Sequence, residues 1–323
     1  MRLTAIRFAI GCAFLAQTAV ASANSPSKDQ TSSADVPQET TVRAKVEALR
    51  LPHRPGDTPA WHARGWEQRA EYLQNLLDDQ RTFFGQVFDV EVPIGLAVLT
   101  PSDWLHVAPH IPYGMPHVSG EPFTAVMPAS WNEVRWLPLP TREEADPGLV
   151  QLSDDLDLDW DQALRSGADL IVTHEFGHTL LHQLEIDPRS LWFGEFLATY
   201  VGLTFITEKR PQLAGPNRLF NLSAADGPHP RTSLRYLDEN YRQVVSENPA
   251  NYAWYQGRIF ERAEAVYAER GLAFLFDVKR LFGRGETMTH DEVLDRLEQV
   301  TPGWKAWAAS MEAIEKHELR AET

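Results

Sequence analysis

One cysteine occurs in the 323 residues, Cys12, and it lies inside the first apolar stretch. A chain with one cysteine forms no internal disulfide, so a packed core, or a core helped by a metal, must hold the fold. Positive charge is also scarce: 30 Lys and Arg face 45 Asp and Glu, a formal net charge of −15. No Lys/Arg cluster offsets this surface, which excludes an electrostatic grip on nucleic acid or anionic lipid. Long apolar runs are missing too. The stretch Phe8 to Val20 is too short, and too rich in Ala, Gly and Thr, for a membrane span. With Arg2 and Arg7 at its start and Ala21-Ser22-Ala23 at its end, it reads as a Sec signal peptide over residues 1–23. The expectation is a bacterial exported protein, periplasmic or secreted, with no stable membrane insertion once the signal is removed. Cleavage would also take Cys12 away and, by loss of Arg2 and Arg7, move the charge from −15 to −17.

Residues 24–41 carry Ser, Thr, Asp, Gln and Pro and hardly any apolar side chain, the composition of a disordered leader. Beyond them the pattern predicts an α+β fold: an amino lobe over 42–188 with a mixed sheet, and a mainly helical carboxyl lobe over 189–323, with a cleft between. In the amino lobe, Trp66–Phe84 reads as an amphipathic helix. Val90–Leu99 reads as a strand in which Pro93 suggests an edge or a bulge, and Phe123–Pro128 as a shorter strand, either cleft rim or simply buried. His106–Gly120 reads as loop. The acidic run Asp154–Asp161 lacks the glycine of a calcium-binding loop, since Trp160 stands in its place; it reads as a solvated loop with Asp161 as a helix cap. After Ser190 the pattern is helical: Leu191–Thr207, Ser233–Ser246, Tyr252–Arg270, Ala273–Phe282, His290–Gln299 and Lys305–Glu318, broken at Gly271, Gly283, Gly285 and Pro302-Gly303. Leu213–Arg231 reads as a specificity loop.

The chemistry concentrates in one segment, Ala168 to Leu184, which contains His174-Glu175-Phe176-Gly177-His178. The segment has no proline and repeats apolar residues at helical spacing. On a helix, residues four apart stack on one face, so both imidazoles can reach one ion while Glu175 lies beside them. Two histidines and a third protein ligand are the donor set of a catalytic zinc site. Three residues compete for third place. His182 lies about 12 Å along the helix axis from His174, at about 1.5 Å per residue, too far for both to bind one ion. Asp187 precedes Pro188 and reads as a turn residue. Glu195 sits on the next predicted helix, a lone carboxylate among Phe193, Phe196 and Leu197, where an unpaired charge is costly. A cation would remove that cost, and Glu195 is the favoured ligand.

At these residues the chain resembles the gluzincins, zincin-fold metallopeptidases whose third ligand is a glutamate on the helix after the His-Glu-x-x-His helix. Trp192-x-x-Glu195-x-x-Ala198-x-Tyr200 is similar to the corresponding segment of aminopeptidase-type gluzincins and of the bacterial peptidase MA-like group. The resemblance implies a zincin-like fold, one Zn²⁺ on His174, His178 and Glu195, and Glu175 as general base and acid. It also covers Asn251 to Gly271, where a tyrosine at a helix start reaches back to the metal; that implies Tyr255, with Tyr252 second, as donor to the oxyanion. Two departures stand out. Thr199 occupies the position where some gluzincins have an aspartate behind a zinc histidine. The Gly-x-Met-Glu-Asn element of the large aminopeptidases is missing, which leaves endo- or exopeptidase action open. The expected function is therefore zinc-dependent hydrolysis of a peptide or protein substrate. The alternative is an exported binding or scaffold protein that keeps a peptidase fold without activity.

Overall fold

Strands and helices alternate through the first third of the chain, then helices take over. The computed structural model describes residues 41–321 apart from 138, 187–189, 227–228 and 283–287, with side chains as far as 314. The expected signal peptide, most of the expected leader, Asp187 and the breaks at Gly283 and Gly285 lie outside the described residues. Five strands, β1 (His53–Arg54), β2 (Ala60–His62), β3 (Ile94–Leu99), β4 (His117–Ser119) and β5 (Phe123–Pro128), form one mixed sheet in the order β1-β2-β3-β5-β4. β2, β3 and β5 are parallel, while β1 and β4 run antiparallel at the two edges.

β3 is the centre of this sheet, not an edge: all six of its residues are buried. Pro93 precedes its first residue, where the missing N–H breaks no ladder bond. Both faces of β3 are covered, as parallel sheets require. Leu96 and Val98 join Ala125 and Met127 of β5 in the main core. Ala97 and Leu99 join Val126, Trp61 and Trp104 in a second core on the other face. β5 is an interior strand as well. The edge strand beside α6 is β4, inside the segment whose sequence reads as loop.

The helices are α1 (Val42–Ala48), α2 (Glu67–Phe88), α3 (Pro101–Val107), α4 (Pro147–Asp155), α5 (Trp160–Asp169), α6 (Ile171–Gln183), α7 (Leu191–Lys209), α8 (Ala214–Ala224), α9 (Leu234–Glu247), α10 (Pro249–Arg270), α11 (Ala273–Phe282), α12 (His290–Val300) and α13 (Trp304–Ala321). Three expectations change. The acidic run is loop only over 156–159, with its first two residues ending α4 and its last two opening α5, and the cap of α5 is Asp159, whose side chain accepts from Gln162 N at 2.8 Å; Asp161 lies in the first turn instead. The segment Ala168–Leu184 is not one helix, because Leu170 separates α5 from α6. Leu213–Arg231 contains α8, whose Phe220 and Pro216 press against Gly167 of α5 so closely that a Cβ there would stand 2.4 Å from either. From α7 onward the expected helices appear with bounds within three residues of those read from the pattern.

A single apolar core runs from Ala60 of β2 to Met311 of α13, so the two expected lobes share it. α2 is the bridge. Its Phe84 stacks on Phe176 of α6, and its Gln80 amide donates to the Thr173 carbonyl at 3.0 Å.

Candidate metal centre

α6 and α7 approach one another through glycines. A Cβ on Gly177 would meet the Ala198 carbonyl oxygen at 2.6 Å, and one on Gly202 would meet Thr173 Oγ1 at 2.8 Å. Larger residues at these crossings would push the helices apart. This contact brings His174 and His178 to Glu195. The Nε2 atoms of the two histidines lie 3.0 Å apart. His174 Nε2 is 3.2 Å from Glu195 Oε2, and His178 Nε2 is 3.8 Å from Oε1.

These separations can be tested against a metal. Ligand atoms about 2 Å from one tetrahedral ion lie about 3.3 Å from each other. The three observed distances bracket that value, and the donor atoms form a group able to hold one metal ion. The chemistry of the pair points the same way. Two imidazole nitrogens at 3.0 Å share at most one proton, and their lone pairs converge on one point. Burial pulls His178 down to about 4, and its neighbour His174 adds to that effect against the attraction of Glu195. Burial also opposes the charged form of His174, but the hydrogen bond and charge of Glu195, with the charge of Glu175, raise it above the usual histidine value. For Glu195, burial opposes ionisation, yet the two imidazoles and the hydrogen bonds from His174 and Tyr241 outweigh it and hold the carboxyl well below the usual range. The carboxylate is thus an anion among imidazoles, the condition metal binding needs.

The orientation of each ligand has a cause. His174 Nδ1 lies 3.1 Å from Thr199 Oγ1, one helical turn beyond Glu195 on α7. If the ring donates there, its Nε2 lone pair is left for the cation. Thr199, the departure from the gluzincin pattern, therefore stands where a supporting group is needed. Glu195 accepts from three neutral donors: Tyr241 at 2.7 Å on Oε1, and Tyr252 at 3.0 Å and Gln256 at 2.7 Å on Oε2. Gln256 also donates to the Tyr252 hydroxyl at 2.7 Å. Tyr252 and Gln256 are four apart on α10, so one helix face supplies both. Tyr241 comes from α9.

α7 itself is anchored just before Glu195. Ser190 makes no capping bond to its own helix. Asp238 of α9 takes that place, accepting from Trp192 N at 3.0 Å and from Ser190 Oγ at 3.1 Å. α9 therefore holds α7 at two points, by Asp238 at its start and by Tyr241 at Glu195. Between them the helix is kinked at Asn240, whose φ of −124° is not helical.

Glu175 is buried, 5% exposed, and directly follows His174. Burial raises its carboxyl to about 7 despite the charge of His174; Glu195 pushes the same way, while the Val118 backbone N–H of β4 pulls it down. That places its titration where a general base works at neutral pH.

The structure does not bring Tyr255 to the trio. Its hydroxyl donates to the Ser233 carbonyl at 3.0 Å and its ring packs on Trp254. Residues 252 and 256 share a helix face; 255 is turned about 100° from 256. Tyr252, the second choice from sequence, is the one that reaches. Tyr241, Gln256 and Asp238 carry no motif; only the spacing of Tyr252 and Gln256 could have flagged one of them. His182 lies 3.4 Å from Glu121 and against Phe123, away from the trio. Comparison with protein-family models, with curated proteins and with solved structures returns no match.

Proposed function

We propose that this protein is a zinc-dependent peptidase of zincin-like fold, with His174, His178 and Glu195 as ligands and Glu175 as general base. The observation that carries the reading is the meeting of both imidazoles with a carboxylate from another helix, beside a buried glutamate that directly follows one of them. Two nitrogens and one oxygen suit zinc among the common divalent ions. A zinc ion held by three such ligands supplies Lewis acidity, acidifying a water molecule and polarising a carbonyl.

The chain's own groups do the rest. Glu175 accepts the proton that the attacking water gives up as its oxygen bonds to the scissile carbonyl carbon. When the carbon–nitrogen bond breaks, Glu175 passes that proton to the leaving amine, so it ends the cycle as it began. Tyr241, Tyr252 and Gln256 keep Glu195 in one orientation, and Thr199 does the same for His174. β4 supports Glu175 from the sheet through Val118.

The test separates chemistry from binding. Glu175→Gln keeps the shape of the site and removes the base, so zinc content should stay at one ion per chain while peptide turnover falls by about 10²- to 10⁴-fold. Zinc quantification together with digestion of a peptide mixture reads both. A variant that cleaves as fast as the parent would sink this mechanism, and a zinc-loaded parent that cleaves nothing would favour the inactive scaffold.

A further inference from the structure

Next to the metal centre lies a cavity of about 100 Å³, several times the space one water occupies. Its walls come from α5, α6, α7, α8, α10 and the segments 115–116 and 136–137, and they include Leu170, Ile171, Leu203, Ile206, Phe220 and Phe260. His174 and Glu175 belong to the same lining, so the cavity opens beside the proposed base. Among the described lining residues there is no lysine or arginine, and Glu175 is the one carboxylate.

The polar groups of the lining are turned on one another. The Thr173 hydroxyl donates to the Leu170 carbonyl at 2.7 Å. The Asn221 amide donates to the Asn217 carbonyl at 2.8 Å and to its side-chain oxygen at 3.2 Å. The Gln256 amide serves Glu195 and Tyr252, as described above. What these bonds leave facing the cavity is chiefly apolar surface. A charged guest side chain would lose its hydration there: an anion would meet no lysine or arginine, and a cation would meet Glu175 alone, the group the proposed reaction needs as its base. An apolar guest loses nothing comparable and gains burial.

We propose that this cavity is the specificity pocket for an uncharged apolar side chain of leucine or methionine size, on a residue flanking the cleaved bond. The proposal rests on the peptidase reading and deepens it. α8 is one wall of the cavity: Gly167 lets it close on α5, and Phe220 and Ala224 line the cavity from it. The size limit follows from the same wall, since Phe220 occupies the room that a larger side chain would take.

The experiment uses the full zinc-loaded chain on peptides that differ at one position beside the bond. Leucine or methionine peptides should be cleaved at least about tenfold faster, in kcat/KM, than those with Asp, Lys or Gly there, the usual scale for apolar pockets. Ala224→Leu narrows the cavity from a partly exposed position that tolerates bulk. It should move the preference from leucine to alanine by about tenfold or more, with zinc content unchanged. Equal cleavage of charged and apolar peptides, or an Ala224→Leu effect that is the same for every peptide, would overturn the pocket and leave the peptidase reading standing. If no peptide is cleaved, the peptidase reading falls, and the pocket is judged by equilibrium binding of N-acetyl-leucine amide against N-acetyl-aspartate amide. Tighter binding of the leucine compound, weakened by Ala224→Leu, supports the pocket; equal or absent binding overturns it.

Discussion

His174 and His178 meet across a single turn of α6, whereas Glu195 reaches them from α7 and is held there by residues of α9 and α10. The first half of the centre is local. Its geometry follows from helical periodicity, and any segment that forms this helix places both rings on one face. The second half is assembled: two glycine crossings, a cap from Asp238 and three hydrogen bonds to one carboxylate must all form before Glu195 points at the histidines. Local halves fail through loss of a ligand, and assembled halves fail by degrees. Substitutions can separate the two behaviours.

The largest effect should come from the local half. His178→Ala removes a donor that nothing nearby replaces, so zinc affinity should fall by more than the 10- to 100-fold typical of losing an outer partner. Titration of the metal-free protein with zinc, followed by calorimetry, reads this. Within the 10- to 100-fold range lies Thr199→Val, which keeps the shape and deletes the group beside His174 Nδ1. Thr199→Ser should restore most of the affinity. If Thr199→Val binds zinc like the parent, the threonine is packing and nothing more. Smaller again is Tyr241→Phe. Glu195 then loses one donor of three, and zinc affinity should fall by about tenfold or less. Gln256→Leu should act similarly, and the double variant should cost more than the sum of the two, because each donor holds the same carboxylate. Strict additivity would mean that the cage does not act as a unit.

How much was legible in the sequence follows the same division. The His-Glu-x-x-His motif and the lone acid on an apolar helix were readable because their chemistry lies in residue type and short spacing. The helices after Ser190 were readable because their apolar periodicity is regular. β4 was not: three residues in a loop-rich segment become a strand only by pairing with β5. α8 is not legible either: Gly215, Pro216 and several polar residues suggest a loop, and its contact with α5 makes it a wall. The resemblance points to Tyr255 before Tyr252, although both lie on the predicted helix. The choice between them depends on which face α10 turns to α7, and that is a tertiary fact. Tyr241 and Asp238 depend wholly on where α9 lies.

The most indirect effect, and the one that touches zinc affinity least, concerns Asp238, at the remote end of the assembled half. Burial raises its carboxyl from the usual 3.8 to about 6, although hydrogen bonds from Trp192, Ser190 and Leu191 pull the other way. Between those two values the folded chain keeps a proton that the unfolded chain has released. The contribution of this group to stability is therefore greatest below about pH 4, declines as pH rises towards 6 and is level above that. A shift of about two units corresponds to at most about 3 kcal/mol. Asp238→Asn cannot titrate, so the stability difference between parent and variant should move against the parent as pH rises from 4 to 7. Urea unfolding of both proteins across that range measures it. The opposite trend would mean that attraction to the amino end of α7 outweighs burial, so that the ionised form is the one the fold prefers. With the expected trend, the fold carries a buried charge at neutral pH that weakens it. The return for that cost is a fixed start to α7, one turn before the carboxylate on which the metal centre depends.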